Sequence, residues 1–361
     1  MSAPVVIGPA RSGLRGLVAK HRALAVLLPV SLVVSWTIAL THGDAAAPPP
    51  AQGVLAEPLT TLAGSPVWRL AWWLWLAGTL ILVEAVARRR GASDHAFLAT
   101  GSVLIALPAT FWAFGWAGTD GPLAFFGALA LWLAVRVIDG VGSGWWLALA
   151  GLAAGAFGIT AVLAFVLVLI LIIATPERRR LLGAGITAVG AALALPVLGA
   201  LTGIGAPLAV SEPPTGGATL GPLGSAIAAL NAMITTGLFT LAQRGIGLPG
   251  APEYFFQILG WVLIAGVVVA FLRARRTRVE SPIVVATAAT VLLAGPVLVI
   301  IVRLLSGQWL LIQPTAMTVL LAALLVVTAT VIRNRPAAWM VVGWSGIVVI
   351  VQIVLVVVAT R

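Results

Sequence analysis

The sequence predicts an all-α protein, a polytopic bundle of transmembrane helices, and two observations carry this prediction. Hydrophobic residues make up 61% of the 361 residues, whereas Asp, Glu, Lys and Arg together make up 9%; soluble domains average roughly 45–50% and 25%. The apolar residues also occur in runs of about 18 or more, the length that a helix needs to cross a bilayer. A charge at the bilayer centre costs about 2.5–3.5 kcal/mol, so the charged residues are expected in short loops at the membrane faces.

The first apolar run, 23–40, follows four basic residues and resembles a secretory signal. We expect an uncleaved anchor instead, because the run has about 18 residues where the apolar part of a signal has about 7–15. The small residues at 45–47 would be the cleavage site of a signal peptidase, but the proline at position 48 follows them directly and argues against cleavage there.

The later runs are bounded by charged residues or by glycine and proline, which end membrane helices at the interface. They cover 69–87, 96–115, 121–138, 181–201, 255–272, 282–302, 309–332 and 337–360.

The stretch 145–175 is too long for one span and contains the break "GAFGIT" at 155–160. Cytoplasmic loops are enriched in Lys and Arg, so Arg136 before the stretch and Arg178 after it are expected on the same side. We therefore predict two short helices, 145–157 and 160–175, that enter the membrane and return. Gly151 and Gly155 have the GxxxG spacing that permits close helix packing.

These runs give about eleven spans, with the amino terminus in the cytoplasm and the carboxyl terminus outside. All 21 basic residues divide unevenly between the two faces under this topology. The inner residues are Arg11, Arg15, Lys20, Arg22, Arg88, Arg89, Arg90, Arg136, Arg178, Arg179, Arg180, Arg273, Arg275, Arg276, Arg278, Arg333 and Arg335, and the outer ones are Arg69, Arg244, Arg303 and Arg361. The asymmetry supports this orientation, and we expect a multi-pass protein of the plasma (inner) membrane.

Residues 1–22 are thus a cytoplasmic segment, and 23–361 form one transmembrane domain with outer loops at 42–68 and 202–254. Several tryptophans fall at the outer ends of spans, where an aromatic belt is expected. They are Trp68, Trp72, Trp73, Trp112, Trp116 and Trp309.

The composition also excludes several classes of function. The net charge of +11 lies in clusters at span ends rather than on a soluble patch, so nucleic acid is not a partner. The chain has no cysteine, which excludes disulfides and thiolate metal sites. Glu84 lies one turn before Arg88 and is expected to pair with it at the membrane surface. No ionisable residue then remains at mid-membrane, where ion-coupled transporters usually have one.

The candidate site residues are acids and an arginine of the outer face. Asp44 and Asp120 each lie within a few residues of a span, so a helix end positions them; for Asp120, helix capping is an alternative explanation. Arg69 begins a span and either binds a phosphate or anchors the helix in head groups. His42 and Asp44 form a candidate metal-ligand pair, although a His–x–Asp pair is more often a solvated loop.

The order of motifs resembles a known family. "RLAWWLWLAGTLILVEAVARRRGASDHAFLATGSVLIALPATFWAFGWAGTDGPLAFFGALALWLAVR" is followed by "WWLALAGLAAGAFGITAVLAFVLVLILI". This order is similar to that of the GT-C glycosyltransferases, particularly the protein O-mannosyltransferase and aminoarabinose transferase branch. The shared features are an Arg that opens the second span, "ARRxxG" that closes it, and "TD" before "LxxFxALALWLxxR". The likeness covers about residues 23–200.

The resemblance implies transfer of a sugar from a polyprenyl-phosphate carrier to an acceptor on the outer face, in cell-envelope glycan or glycoprotein synthesis. It implies that Asp44 is the catalytic acid of the first outer loop, as a base or through a divalent metal, and that Asp120 is the second acid. It implies that Arg69 stabilises the departing lipid phosphate. The family's paired acid in the first loop, its base before "TD" and its lysine after "GLAxG" are absent. Two alternatives therefore stay open: a lipid or lipid-linked-saccharide transporter (flippase), and a non-catalytic membrane subunit with a decayed transferase fold.

Overall fold

A computed structural model describes residues 21–41, 65–107, 118–175, 181–203, 281–306 and 315–359, together with positions 55, 58 and 61. Within these ranges the regular backbone is helical throughout, and no strand is present. The all-α prediction is therefore confirmed for the part of the chain that the structure describes. The predictions for the segments 1–20, 42–54 and 204–280 concern residues outside the described ranges.

Most of the described helices begin and end within a few residues of the predicted apolar runs. The exceptions are the run 96–115, where the helix ends at Ala106, and the run 309–332, where the described helix begins at Thr315; the run 255–272 lies outside the described residues. They are α1 (Arg22–Thr41), α2 (Pro66–Ala71), α3 (Trp73–Arg89), α4 (Asp94–Ala106), α5 (Asp120–Ile138), α6 (Trp145–Gly155), α7 (Val162–Ile173), α8 (Leu182–Thr202), α9 (Ser281–Ala289), α10 (Gly295–Ser306), α11 (Thr315–Val331) and α12 (Arg335–Ala359). A 3₁₀ turn, Ile159–Ala161, precedes α7, and a π-helical segment, Thr290–Ala294, joins α9 to α10.

Three of the described helical segments are long and apolar enough to cross a membrane: Val67–Arg89, which joins α2 to α3, Asp120–Ile138 and Leu182–Thr202. The other described helices include shorter apolar ones of 10–17 residues. A chain with such helices is a membrane protein, as predicted from its composition.

Helix α5 lies at the centre of the described bundle. It packs against α3, α6, α7 and α11. At the periphery α12 packs mainly on α4, and α1 packs on both α3 and α4. Buried alanines such as Ala124, Ala128 and Ala134 line α5, and small side chains of this kind let membrane helices approach closely. The first turn of α5 is consequently enclosed by its neighbours.

The stretch 145–175 enters the bundle and returns, as predicted. At Gly144 an added Cβ would meet Ala184, and at Gly155 it would meet the carbonyl oxygen of Ala192, so α6 runs in the same direction as α8. At Gly185 the neighbour is Leu169, near the end of α7, so α7 runs opposite to α8. The reversal occurs at Gly158, whose φ of 144° is accessible to glycine and strained for other residues.

Ion pairs and a shared cavity gather helix ends at one side of the bundle, which we call the basic end. Arg89 in α3 pairs with Asp139 after α5 at 3.0 Å, and Arg88 pairs with Asp94 in α4 at 2.6 Å. Arg22 of α1, the start of α4 and Arg335 of α12 line the same cavity. Arg90, Arg136 and Arg333 are adjacent to these residues in the chain. The described arginines that were predicted to be cytoplasmic therefore lie at one end.

Glu84 differs from its prediction. Its pairing with Arg88 is present, at 3.0 Å between Oε1 and Nε. However, its carboxylate is not at the surface, since only 2% of the side chain is exposed. The second oxygen of Glu84 lies 2.7 Å from Nδ1 of His21. The spacing of four residues predicted the pairing of Glu84 with Arg88. The burial of the pair comes from the packing of α1 onto α3, which depends on residues far apart in the chain.

Candidate functional site

Asp120 lies at the end of α5 that is opposite to the basic end. The side chain is buried, at 6% exposed, and its neighbours Thr119, Gly121 and Pro122 are buried as well. Asp120 is the first residue of the helix, so the N-cap position belongs to Thr119, whose side chain makes no capping hydrogen bond. The positive end of the helix dipole favours a negative charge at this position. The α5 amino terminus thus supplies a carboxylate inside the protein rather than on an exposed loop.

Arg69 lies at the same end as Asp120. Helices α3 and α5 run in parallel, because Trp75 and Phe125 are in contact near their starts while Arg89 and Asp139 are paired at their ends. Arg69 precedes Trp75 by six positions, and Asp120 precedes Phe125 by five. At a rise of 1.5 Å per residue, both residues lie roughly 8–9 Å beyond the contact between the two rings.

Five aromatic side chains form a cluster just below this level. Trp72 and Trp75 belong to the α2–α3 segment, Phe125 and Phe126 to α5, and Phe157 to the break between α6 and α7. The ring centroids of Trp75 and Phe125 are 5.2 Å apart, and those of Phe126 and Phe157 are 5.8 Å apart. Trp75 also lies 6.2 Å from Phe157 and 6.1 Å from Trp72. The cluster fixes the spacing between α5, near its first turn, and the two other segments.

The predicted first outer loop reaches the same region. The backbone N–H of Leu55 donates to the carbonyl oxygen of Ala156 at 3.3 Å, which joins the 42–68 loop to the break. Beside the break, Thr160 is fully buried, and its Oγ1 has no hydrogen-bond partner among the described residues. The buried Nε1 of Trp72 also has no hydrogen-bond partner among the described residues. Buried polar atoms in proteins are usually paired, so this region has unused capacity to bind polar groups.

The structure describes only some of the predicted site residues. Asp120 and Arg69 are brought to one end of the bundle, while His42 and Asp44 lie outside the described residues. Within the described ranges no three His, Asp or Glu side chains converge as a metal site would require. That His42 and Asp44 hold a divalent metal stays a prediction.

Sequence reasoning missed two features of this region. Trp72 was assigned to the interfacial belt, but it is 4% exposed and packs inside the bundle. Phe157 and Thr160 were seen only as part of a glycine-rich break, although both are buried there. An aromatic residue between two glycines, followed by a threonine, is the signal within this apolar stretch that points to a packed, polar turn instead of a simple hinge.

Comparisons with known proteins identify no relative of this chain. No protein-family model, curated protein or solved structure matches the chain.

Proposed function

We propose that the chain is a polytopic membrane transferase that moves a sugar from a polyprenyl-phosphate carrier to an acceptor at the outer face of the plasma membrane. The observation that carries this proposal is the buried carboxylate of Asp120 at the start of the central helix, on the same end as Arg69 and opposite the basic end. The positive-inside rule assigns the basic end to the cytoplasm. Asp120 and Arg69 then face outward, where lipid-linked sugars are used.

The reaction requires a base and a stabilised leaving group. As the bond between the anomeric carbon and the carrier's phosphate oxygen breaks, an acceptor hydroxyl forms the new bond to that carbon and gives its proton to a carboxylate. Asp44 is the proposed base, with Asp120 orienting the donor or acceptor sugar. A carboxylate also stabilises the positive charge that develops at the anomeric centre.

Arg69 is proposed to bind the phosphate that departs on the lipid carrier. The phosphate gains negative charge in the transition state, and a fixed cation at this position stabilises the transition state more than the ground state. A guanidinium also matches phosphate geometry with two parallel hydrogen bonds. Its location in the short helix α2, half-buried at the end of the bundle, suits a ligand whose tail remains in the lipid.

A lipid or lipid-linked-saccharide transporter is the second candidate, and one observation favours it. The α6–α7 hairpin reverses at Gly158 inside an apolar stretch, next to the buried hydroxyl of Thr160. Discontinuous helices with polar groups at the interruption form the binding sites of many transporters.

Transfer in proteoliposomes tests the proposal. The full-length chain is reconstituted and supplied with a panel of polyprenyl-phosphate sugars labelled in the sugar, together with an envelope extract as acceptor. We expect sugar transfer with release of the polyprenyl phosphate from at least one donor. Asp44→Ala and Asp120→Asn are each expected to lower the rate by about 100-fold or more while donor binding is kept. Asp139→Asn, an acid of the basic end, is the control that leaves the rate unchanged.

Two results would count against the transferase. Release of sugar from none of the donors would contradict it, and so would equal rates for Asp120→Asn and Asp139→Asn. Movement of the intact donor between leaflets, without loss of its sugar, would support the transporter instead.

A further inference from the structure

A cavity of about 490 Å³ lies at the basic end, far from Asp120. It is bounded by the start of α1, the start of α4 and the connection from α11 to α12. Arg22 of α1 lines it, together with Arg333 and Arg335 from the connection between α11 and α12. The guanidinium groups of Arg22 and Arg335 carry like charges, and an anion between them would reduce their repulsion.

The wall of this cavity carries more positive than negative charge. Asp94 is the acid among the lining residues, but its carboxylate is bound to Arg88 at 2.6 Å, and Arg88 is bound in turn to Glu84. Arg22 and Arg335 make no ion pair with any residue that the structure describes. The cavity therefore presents Arg22 and Arg335 to a ligand.

The same cavity is apolar on its membrane side. Val26 of α1 and Leu98 of α4 line it below the arginines. From Val26 an exposed apolar stripe continues along α1 through Val30 and Val33, which are 45% and 63% exposed. These valines are three and four residues apart and so share one face of the helix. A ligand that fits both parts has an anionic head and a hydrocarbon tail.

We propose that this cavity binds the phosphate head group of an anionic phospholipid from the cytoplasmic leaflet, with an acyl chain lying along the stripe formed by Val26, Val30 and Val33. Arginine clusters between membrane helices on the cytoplasmic side recognise such head groups, and the planar guanidinium binds phosphate through paired hydrogen bonds. The bound lipid connects α1, α4 and α12. This site does not depend on the transferase proposal, since it lies at the other end of the bundle.

Lipid binding to the purified full-length chain tests the proposal. The protein is titrated with phosphatidylglycerol, with phosphatidylcholine and with inorganic phosphate, and bound lipid is counted by native mass spectrometry alongside thermal unfolding. We expect phosphatidylglycerol to bind and to raise the unfolding temperature, and neither of the other two to do so. The double variant Arg22→Gln/Arg335→Gln is expected to bind phosphatidylglycerol about tenfold more weakly.

Arg136→Gln is the matched control. It removes a positive charge from the same end, but Arg136 lies over the ring of Trp132 at 4.7 Å and does not line the cavity. Its affinity for phosphatidylglycerol is expected to equal that of the wild type. Val26→Trp tests the apolar part without changing charge or depending on the folding of the double variant, and it is expected to weaken lipid binding.

Three outcomes would overturn the proposal. The first is equal binding of phosphatidylglycerol and phosphatidylcholine to the wild type, which needs no variant. The second is an equal effect of inorganic phosphate, which would indicate a site for a free anion. The third is unchanged affinity in both the double arginine variant and Val26→Trp.

Discussion

Oε2 of Glu84 lies 2.7 Å from Nδ1 of His21, and this contact joins residues 63 positions apart. Oε1 of Glu84 accepts a hydrogen bond from Nε of Arg88, whose Nη2 donates to Asp94. The start of α1, the end of α3 and the start of α4 are therefore held together by one polar network. A buried carboxylate is costly unless it is paired and hydrogen-bonded, so the network has to form for the basic end to pack.

Removal of Arg88 should destabilise the bundle, because it leaves the carboxylate of Glu84 buried with one partner fewer. Arg88→Ala is expected to lower the free energy of unfolding by about 3 kcal/mol. Asp94→Asn, which affects the more exposed branch of the same network, should cost about 1 kcal/mol or less. Unfolding in mixed detergent micelles measures both values, and equal losses in the two variants would contradict the proposed role of the buried carboxylate.

Gly151 should tolerate no side chain, because α6 and α8 approach each other there. An added Cβ would lie 2.6 Å from the carbonyl oxygen of Ala188, a backbone atom that cannot move aside easily. Gly151→Ala is expected to cost about 1–3 kcal/mol of unfolding free energy.

The matched control is Gly190→Ala on α8, where nothing lies within 4 Å of the added atom. Alanine favours a helix over glycine by about 1 kcal/mol at most, so this variant should be neutral or slightly stabilised. If Gly151→Ala behaved like Gly190→Ala, the close packing of α6 on α8 would be wrong.

Trp75 should be essential for the end of the bundle that holds Asp120. Its ring contacts Trp72, Phe125 and Phe157, which belong to three different segments. Trp75→Ala is expected to lower the free energy of unfolding by about 3 kcal/mol. Trp146→Ala, which removes the same side chain from an exposed position, should change it by about 0.5 kcal/mol or less.

Thr160 offers a test of the unused polar capacity near the break. Its buried Oγ1 has no hydrogen-bond partner among the described residues, so Thr160→Val should leave the stability unchanged or raise it by up to about 1 kcal/mol. Thr100→Val removes a hydroxyl that donates to Ala96 at 2.7 Å, and it should lower the stability by about 1 kcal/mol. A loss of stability in Thr160→Val as large as in Thr100→Val would show that the hydroxyl is already satisfied.

Much of the helix pattern was predictable because the membrane limits where charge can lie. The bounds of α1, α5 and α8 follow from the apolar runs, and the reversal near Gly158 follows from the arginines on both sides of a stretch too long for one span. These are local signals, readable from runs of one type of residue.

The contacts that bury Glu84 and Trp72 were not predictable in the same way. Each depends on which helix packs next to which, and His21 lies too far from Glu84 in the chain for a helical spacing to indicate their contact. For the candidate site, the sequence identified Asp120 and Arg69 as residues of one membrane face but not the aromatic cluster beside them. Because the apolar runs have similar compositions, the sequence does not show which helices pack against each other.

Accessibility of introduced cysteines tests the central claim, that the basic end faces the cytoplasm and the end with Asp120 and Arg69 faces outward. The chain contains no cysteine, so single substitutions report without background. Ser65→Cys and Thr202→Cys lie at the Asp120 end, and Ser143→Cys and Asn334→Cys lie at the basic end. With a membrane-impermeant maleimide on intact cells, the first pair should be labelled, and the second pair should be labelled only after permeabilisation. Labelling of Ser143→Cys and Asn334→Cys from outside, with Ser65→Cys and Thr202→Cys protected, would contradict the account.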